Sequence, residues 1–316
     1  MTIKKKRKRK KERIFKGILD WFVWKAFRLS VFIVQKLNLE TIHFIGKKLG
    51  DFVFYSPNPR KNVVLKNLRM AYGREKSEKE LKGICRGCFQ NFGMNILETI
   101  RYAFFSFEEI DNFIAIDGKE HLDNALKKGK GVIALSAHLG NFPIIASKFI
   151  PSGYQFSLIF RSPENPNINK EYLTIMRKFG LNPIFDKPRH VCVKKSLELL
   201  KKNGILFLQI DQNTKVSRGV YVRFFNHELP TFTGPVVLAI RTGAVVLPLF
   251  IVREENSRHR IIIDKPFELV LTGERNFDIK NNTERLSKIT EGYIRMFPEQ
   301  WWWIHKRWKK AKEIVN

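Results

Sequence analysis

Val132–Pro143, VIALSAHLGNFP, decides how the chain is to be read. It opens as a short run rich in Val, Ile and Leu, the pattern of a strand buried on both faces, and then breaks into a glycine-containing turn that presents His138. In an open α/β sheet, ligands bind in the crevice beyond the carboxyl ends of the strands. An imidazole delivered there is a candidate general base. The same position also suits a core histidine satisfied by a backbone carbonyl, and the stretch alone leaves both readings open.

Outward from this run, strand and helix patterns alternate. Strands are expected at 113–116, 156–160, 182–185, 205–210, 221–225, 245–252 and 260–264, with helices at 120–128, 141–150, 167–179, 191–202 and 280–297. Such alternation predicts an α/β fold, a mixed sheet layered by helices. The apolar run Pro235–Ile240 reads as plain core. The first hundred residues read helical instead, at 14–37, 41–54, 61–72 and 77–105, the last opening on Ser77 and Glu80 at capping-box spacing. Gly83, Gly87 and Gly93 count against its continuity.

Ile205–Ile210, ILFLQI, ends directly in Asp211. If its strand and that of Val132 are parallel neighbours, Asp211 and His138 share one rim, where the acid could orient the imidazole; a turn or capping role is the alternative. Glu164, in a loop, is less suited. Arg161 follows the strand ending at Phe160, where a guanidinium either clamps phosphate or is a solvated strand-end charge. Gly140 lets backbone approach a reacting centre, while Asn141 either caps the following helix or donates to a bound acyl group.

The chain has 316 residues, 44% of them hydrophobic, enough for one substantial domain (38–316) behind an N-terminal extension. Its net charge is +28; residues 1–13 hold nine Lys or Arg against Glu12, so +20 remains on the rest. Residues 1–13 read as a disordered basic leader. A field of this sign concentrates anionic lipid, phosphorylated glycolipid or nucleic acid. From 14 to 37 the strongly polar residues, Lys25 and Arg28 among them, fall within one arc of a helix and the remaining arc is apolar apart from Ser30, although Trp21, Trp24 and Phe32 intrude on the polar side. Charges interrupt every apolar stretch short of the ~20 residues a span requires, which predicts an interfacial membrane helix rather than a transmembrane one. A helix packed on the domain's own core is the alternative. Lys25 and Arg28 also break any secretory signal and no small-residue cleavage site follows, so the chain is expected to stay on the cytoplasmic side of the membrane.

Trp301, Trp302, Trp303 and Trp308 interleave with His305, Lys306, Arg307 and Lys309, a mix suited to a lipid headgroup layer. Stacking on nucleic-acid bases would use the same residues, but no nucleic-acid fold signature accompanies them. Cys85, Cys88 and Cys192 fit a reducing compartment, and the CRGC pair lacks the second pair a zinc site needs, so no metal is expected.

Several blocks, in order, resemble the lysophospholipid acyltransferase superfamily and within it the late acyltransferases of lipid A biosynthesis. They are NFGMNILET (Asn91–Thr99), the His138 to Pro143 block, FRSPEN (Phe160–Asn165), Asp211 with Gln212, GVYVRFF (Gly219–Phe225) and PEQWWWIHKRWK (Pro298–Lys309). The resemblance covers the chain from about residue 15 onward. It implies an αβα acyltransferase sandwich that moves a fatty acyl chain from an acyl-carrier-protein or coenzyme A thioester to a hydroxyl of a phosphorylated, lipid A precursor-like glycolipid. It further implies His138 as base, no metal or redox cofactor, and Arg223, Thr233 and Gly234 shaping the acceptor or acyl pocket. One departure stands out: the family places Asp or Glu five residues after the histidine, and this chain has Pro143. Proline suits the first turn of a helix, but the usual partner of the base is gone. That loss motivates the alternative of a non-catalytic relative that binds anionic lipid or glycolipid.

Overall fold

Strand β2 (Val132–Ser136) is buried along its whole length and lies in the middle of a seven-stranded sheet. The computed structural model describes residues 3–312 other than 74 and 257, with side chains described from residue 17 onward except at 218. The strands are β1 (Ile114–Asp117), β2, β3 (Phe156–Phe160), β4 (Ile184–Phe185), β5 (Ile205–Gln209), β6 (Gly219–Phe224), β7 (His227–Phe232), β8 (Val245–Arg253) and β9 (His259–Ile263). Their order in the main sheet is β1-β9-β8-β2-β5-β3-β4, every pair parallel except β8 with β9. This is the expected helix-layered mixed α/β sheet. The continuous apolar runs of β2 and β5 reflect a sheet covered on both faces. They pair in register from Val132 with Ile205 to Ser136 with Gln209, so the residues after Ser136 and after Gln209 emerge side by side at one rim.

Among the described residues, five helices precede the first strand: α1 (Ile3–Val34), α2 (Leu39–Tyr55), α3 (Pro59–Tyr72), α4 (Glu78–Tyr102) and the short α5 (Phe107–Phe113). Both halves of the capping box at Ser77 and Glu80 form. The glycines do not break α4. A methyl group on Gly93 would lie 2.3 Å from the Gly46 carbonyl oxygen, and one on Gly50 would lie 2.4 Å from the Gln90 Cα, so α2 and α4 meet along a seam only glycine permits.

Helix α1 runs from Ile3 without a break at residue 13; the side chains of the expected leader, 1–13, lie outside the described residues. One face packs on the domain: the Trp24 indole donates to Glu171 (3.1 Å), Phe27 stacks on Tyr172 and Val34 is buried. The other face exposes Leu19, Phe22, Leu29, Phe32 and Ile33. Trp24 and Arg28, expected to face the membrane, turn toward Glu171 instead, because the i, i+4 pair shares the domain-facing side of the helix. Trp21 and Lys25 are on the exposed side. Among the described residues, no helix is long and apolar enough to cross a membrane.

The structure departs from expectation in three further elements. Tyr221–Phe225 does not join the main sheet; Tyr221–Phe224 lies in β6, which pairs antiparallel with the unforeseen β7, and Phe225 begins the turn between them. The two central residues of the turn, Phe225 and Asn226, have φ of 46° and 59°, the geometry of a tight hairpin without its usual glycine. Pro235–Ile240, given no element by the sequence, is most of a helix, Gly234–Thr242, and its Val236 and Ala239 are buried, as a core run requires. Residues 141–150 form a 3-10 turn, Phe142–Ile144, before a short helix, Ile145–Phe149, with Pro143 in the first turn.

Candidate active site

The turn after β2 carries His138, and the residues after β5 carry Asp211, which is 2% exposed. Two hydrogen bonds join them. The His138 backbone N–H donates to Asp211 Oδ2 (2.9 Å), and the ring Nδ1 lies 2.9 Å from Oδ1. The Trp301 indole N–H donates to Oδ2 as well (2.7 Å). Burial pushes the Asp211 carboxyl upward, but the charge and hydrogen bonds of His138 and the bond from Trp301 outweigh it and bring the group down to about 2. An ionised Asp211 accepts the Nδ1 proton, which leaves the lone pair on Nε2. That nitrogen lies 2.9 Å from the Gln212 amide nitrogen, a donor to it. The ring is 21% exposed and touches Phe142 edge-on at 5.2 Å.

The turn itself is tied inward. Gly140 has φ of +57°, and a methyl group there would sit 2.1 Å from the Ile251 carbonyl oxygen of β8. Its glycine therefore serves packing against the sheet rather than approach to a reacting centre. Its N–H donates to Gln300 O (3.0 Å) and its carbonyl accepts from Asn95 (2.9 Å). Asn141 neither caps the following helix nor opens to a substrate. It is fully buried, donating to Glu98 Oε2 (2.9 Å) and accepting from Thr99 (2.9 Å).

The remaining expected residues are dispersed. Arg161 is at the rim, largely exposed, with its Nε donating to Asp186 after β4 (2.9 Å). Arg223 is exposed on the hairpin opposite Glu228 and shares no hydrogen bond with the His138 turn among the described residues. Thr233 and Gly234 open the helix that follows the hairpin, and a methyl group on Gly234 would strike the Phe232 ring at 2.1 Å.

The tryptophan tail corrects the membrane expectation. Trp301 is 2% exposed and Trp303 fully buried, in an aromatic cluster with Tyr72, Phe224, Phe225 and Trp308; Trp302 is half-buried, edge-on to Phe92. An aromatic-basic mix serves a packed core as well as a headgroup layer once the cation is buried. Arg307 is that cation: it donates to the carbonyls of Gln212 (2.9 Å) and Pro230 (2.8 Å) and to Thr231 Oγ1 (2.6 Å), and burial brings its pKa down to about 10.

Gln212, Glu98 and Arg307 fall in the blocks that carry the resemblance, but sequence reasoning gives no role at the site to any of them, nor to Trp301 as a partner of Asp211. Adjacency to Asp211 is the one local signal for Gln212; the others meet the site only through tertiary contact. His305 belongs with them. Its Nδ1 is buried without a hydrogen-bond partner among the described residues, burial lowers its pKa, and Asp211, Arg307, His138 and Arg161 act on it electrostatically.

A histidine backed by a buried carboxylate at the carboxyl edge of the parallel strands, with a donor on its outer nitrogen, defines the class of the protein as an α/β fold with a histidine–carboxylate pair at the rim of its sheet. The comparison with known proteins narrows it. The chain belongs to the bacterial lipid A biosynthesis acyltransferase family, whose sequence model matches residues 5–310. It is similar to the lipid A biosynthesis lauroyltransferase of Escherichia coli, 25% identical over 299 residues that cover 93% of this chain and 94% of that protein. The lipid A biosynthesis palmitoleoyltransferase of the same organism is 23% identical, with 92% and 91% covered. A phosphatidylinositol mannoside acyltransferase of Mycobacterium tuberculosis is 26% identical over 135 residues, 42% of each chain.

Proposed function

We propose that the protein transfers a fatty acyl chain from an acyl-carrier-protein or coenzyme A thioester to a hydroxyl of a phosphorylated, lipid A precursor-like glycolipid, with His138 as general base. The observation that carries this reading is the His138 ring seated between Asp211 and Gln212. Nε2 takes the proton of the acceptor hydroxyl as its oxygen attacks the thioester carbonyl; Asp211 stabilises the imidazolium; the departing thiolate then takes that proton, leaving ester, free thiol and neutral base. The acceptor hydroxyl replaces Gln212 on Nε2. Asp211, reached through the fold rather than through a position five residues on, supplies what Pro143 lacks. Arg161 suits a phosphate of the acceptor, since its pairing with Asp186 is exposed and exchangeable.

The exposed apolar face of α1, with Lys25, is proposed to rest in an anionic membrane surface, at the cytoplasmic face of the inner membrane. Phe44, Phe52 and Tyr55 of α2 extend it: all three are more than half exposed, and Lys48 lies over the Phe44 ring at 5.5 Å.

Purified protein given a thioester donor and a phosphorylated glycolipid acceptor is expected to form the ester, and His138→Ala to abolish it. Absence of turnover with every donor and acceptor pair would favour the binding-only alternative that Pro143 motivates.

A further inference from the structure

Beneath the His138 turn lies a second polar centre that the reaction as drawn does not use. Glu98, on the inner face of α4, is fully buried. Its Oε1 accepts from Arg253 at the end of β8 and pairs with His43 of α2. Its Oε2 accepts from Asn141 Nδ2 (2.9 Å) and lies 3.2 Å from His259 of β9. Burial pushes this carboxyl up, but the charges of Arg253 and His259 outweigh it and hold the group well below the usual range, so it stays ionised.

Asn141 is itself a partner of Glu98, and side chains around that cluster hold Gly140 and Asn141, the second and third residues after His138. Asn95, one turn earlier on α4, donates to the Gly140 carbonyl (2.9 Å) and accepts from Arg253. Thr99 donates to Asn141 Oδ1 (2.9 Å). Gln300 exchanges two hydrogen bonds with the Arg253 backbone (2.7 and 2.9 Å), and its own carbonyl receives the Gly140 N–H (3.0 Å). Every polar group of Gly140 and Asn141 named here thus ends on α4, on Gln300, or on the cluster around Glu98. Burying an ionised acid among a guanidinium and two imidazoles is costlier than filling the space with apolar side chains, and the His259 Nδ1 adds to that cost, being buried with no hydrogen-bond partner among the described residues; the hydrogen bonds that reach the turn are all made, and such bonds rigidify what they touch.

We propose that Glu98 is a positioning residue for acyl transfer: through Asn141 and Arg253 it fixes the Leu139–Asn141 turn and so keeps the His138 ring seated between Asp211 and Gln212. This rests on the reading of His138 as the base. A ring displaced by a fraction of an ångström to an ångström loses its line to the acceptor proton while substrate binding is little affected.

Three full-length variants test it: Glu98→Gln, Asn141→Ala and the double substitution, each checked for folding by its unfolding midpoint. Glu98→Gln is expected to lower kcat by about 100-fold with KM within about threefold of wild type. Asn141→Ala, which spares the Glu98–Arg253 pair, is expected to lose a similar factor and carries the test alone if Glu98→Gln does not fold. The double substitution is expected to lose no more than either single one, since all three break the same link. Nitrogen NMR of the His138 ring gives a readout free of turnover: one Nδ1–H tautomer in the wild type, a mixture in the variants. Wild-type kcat in folded variants, losses that multiply in the double substitution, or an unchanged ring spectrum would each overturn the proposal. A wild type that turns nothing over would sink the acyltransferase reading instead, and the ring spectra would still decide the role of Glu98.

Discussion

The base role proposed for His138 needs one tautomer, the one that the Asp211 carboxylate beside Nδ1 favours. Asp211→Asn can present its amide instead of a carboxylate to Nδ1, turning the ring's proton toward Nε2, so kcat is expected to fall by about 100-fold or more with the fold retained. The carboxyl has a second signature, in stability. Its folded pKa of about 2 lies below its ordinary 3.8, so its contribution is fully present above pH 3.8 and is lost as pH falls through 2. The difference corresponds to about 2 kcal/mol. Urea unfolding between pH 5 and pH 2 should therefore show a steeper loss in the wild type than in Asp211→Asn; parallel losses would contradict the assignment. Trp301 can be probed in the same way. Trp301→Phe keeps a ring in the core but removes the donor to Asp211, and is expected to cost about 1–3 kcal/mol while leaving vesicle binding unchanged. A headgroup anchor would show the reverse.

Helices α2 and α4 make the clearest case of an element whose composition misleads when read alone. Three glycines in α4 argue for interruption by propensity, yet Gly93 is where the α2 backbone passes, whereas nothing lies within 4 Å of where a side chain on Gly83 would project. Gly83→Ala is accordingly expected to stabilise by about 0.5–1 kcal/mol. Gly93→Ala must push the helices apart and is expected to destabilise by about 1–3 kcal/mol. Thermal unfolding of the two variants decides the matter, and equal shifts of either sign would dissolve the seam. The β6–β7 hairpin is the converse. Its turn lacks the Asn-Gly signal, and the positive φ of Phe225 is held by burial of its ring against Tyr72, Trp303 and Trp308 and by its N–H donating to Glu291 (2.8 Å).

Across the whole molecule, the proposed contact with an anionic bilayer rests on the +28 charge and the exposed apolar faces of α1 and α2. Phe22 and Phe32 are each more than half exposed, so replacing both with Asp is expected to leave the unfolding midpoint within about 1 °C of wild type. The same change should weaken partition onto anionic vesicles by about tenfold or more. Unchanged partition would remove α1 from the membrane. The buried strands and their carboxyl rim were legible from the chain because a sheet covered on both faces demands unbroken apolar runs, and such runs show where they end. His138 and Asp211 were readable for that reason, each being the first titratable group past its strand. The contacts that make a site of them were not. Trp301 reaches Asp211 across 90 residues and Asn141 reaches Glu98 across 43. No local pattern specifies which face of one element meets another, and indoles beside cations have the same composition in a lipid headgroup layer as in a sealed core. Packing alone settled that difference: the space beside the rim is filled by the tail, and what fills it cannot face a membrane.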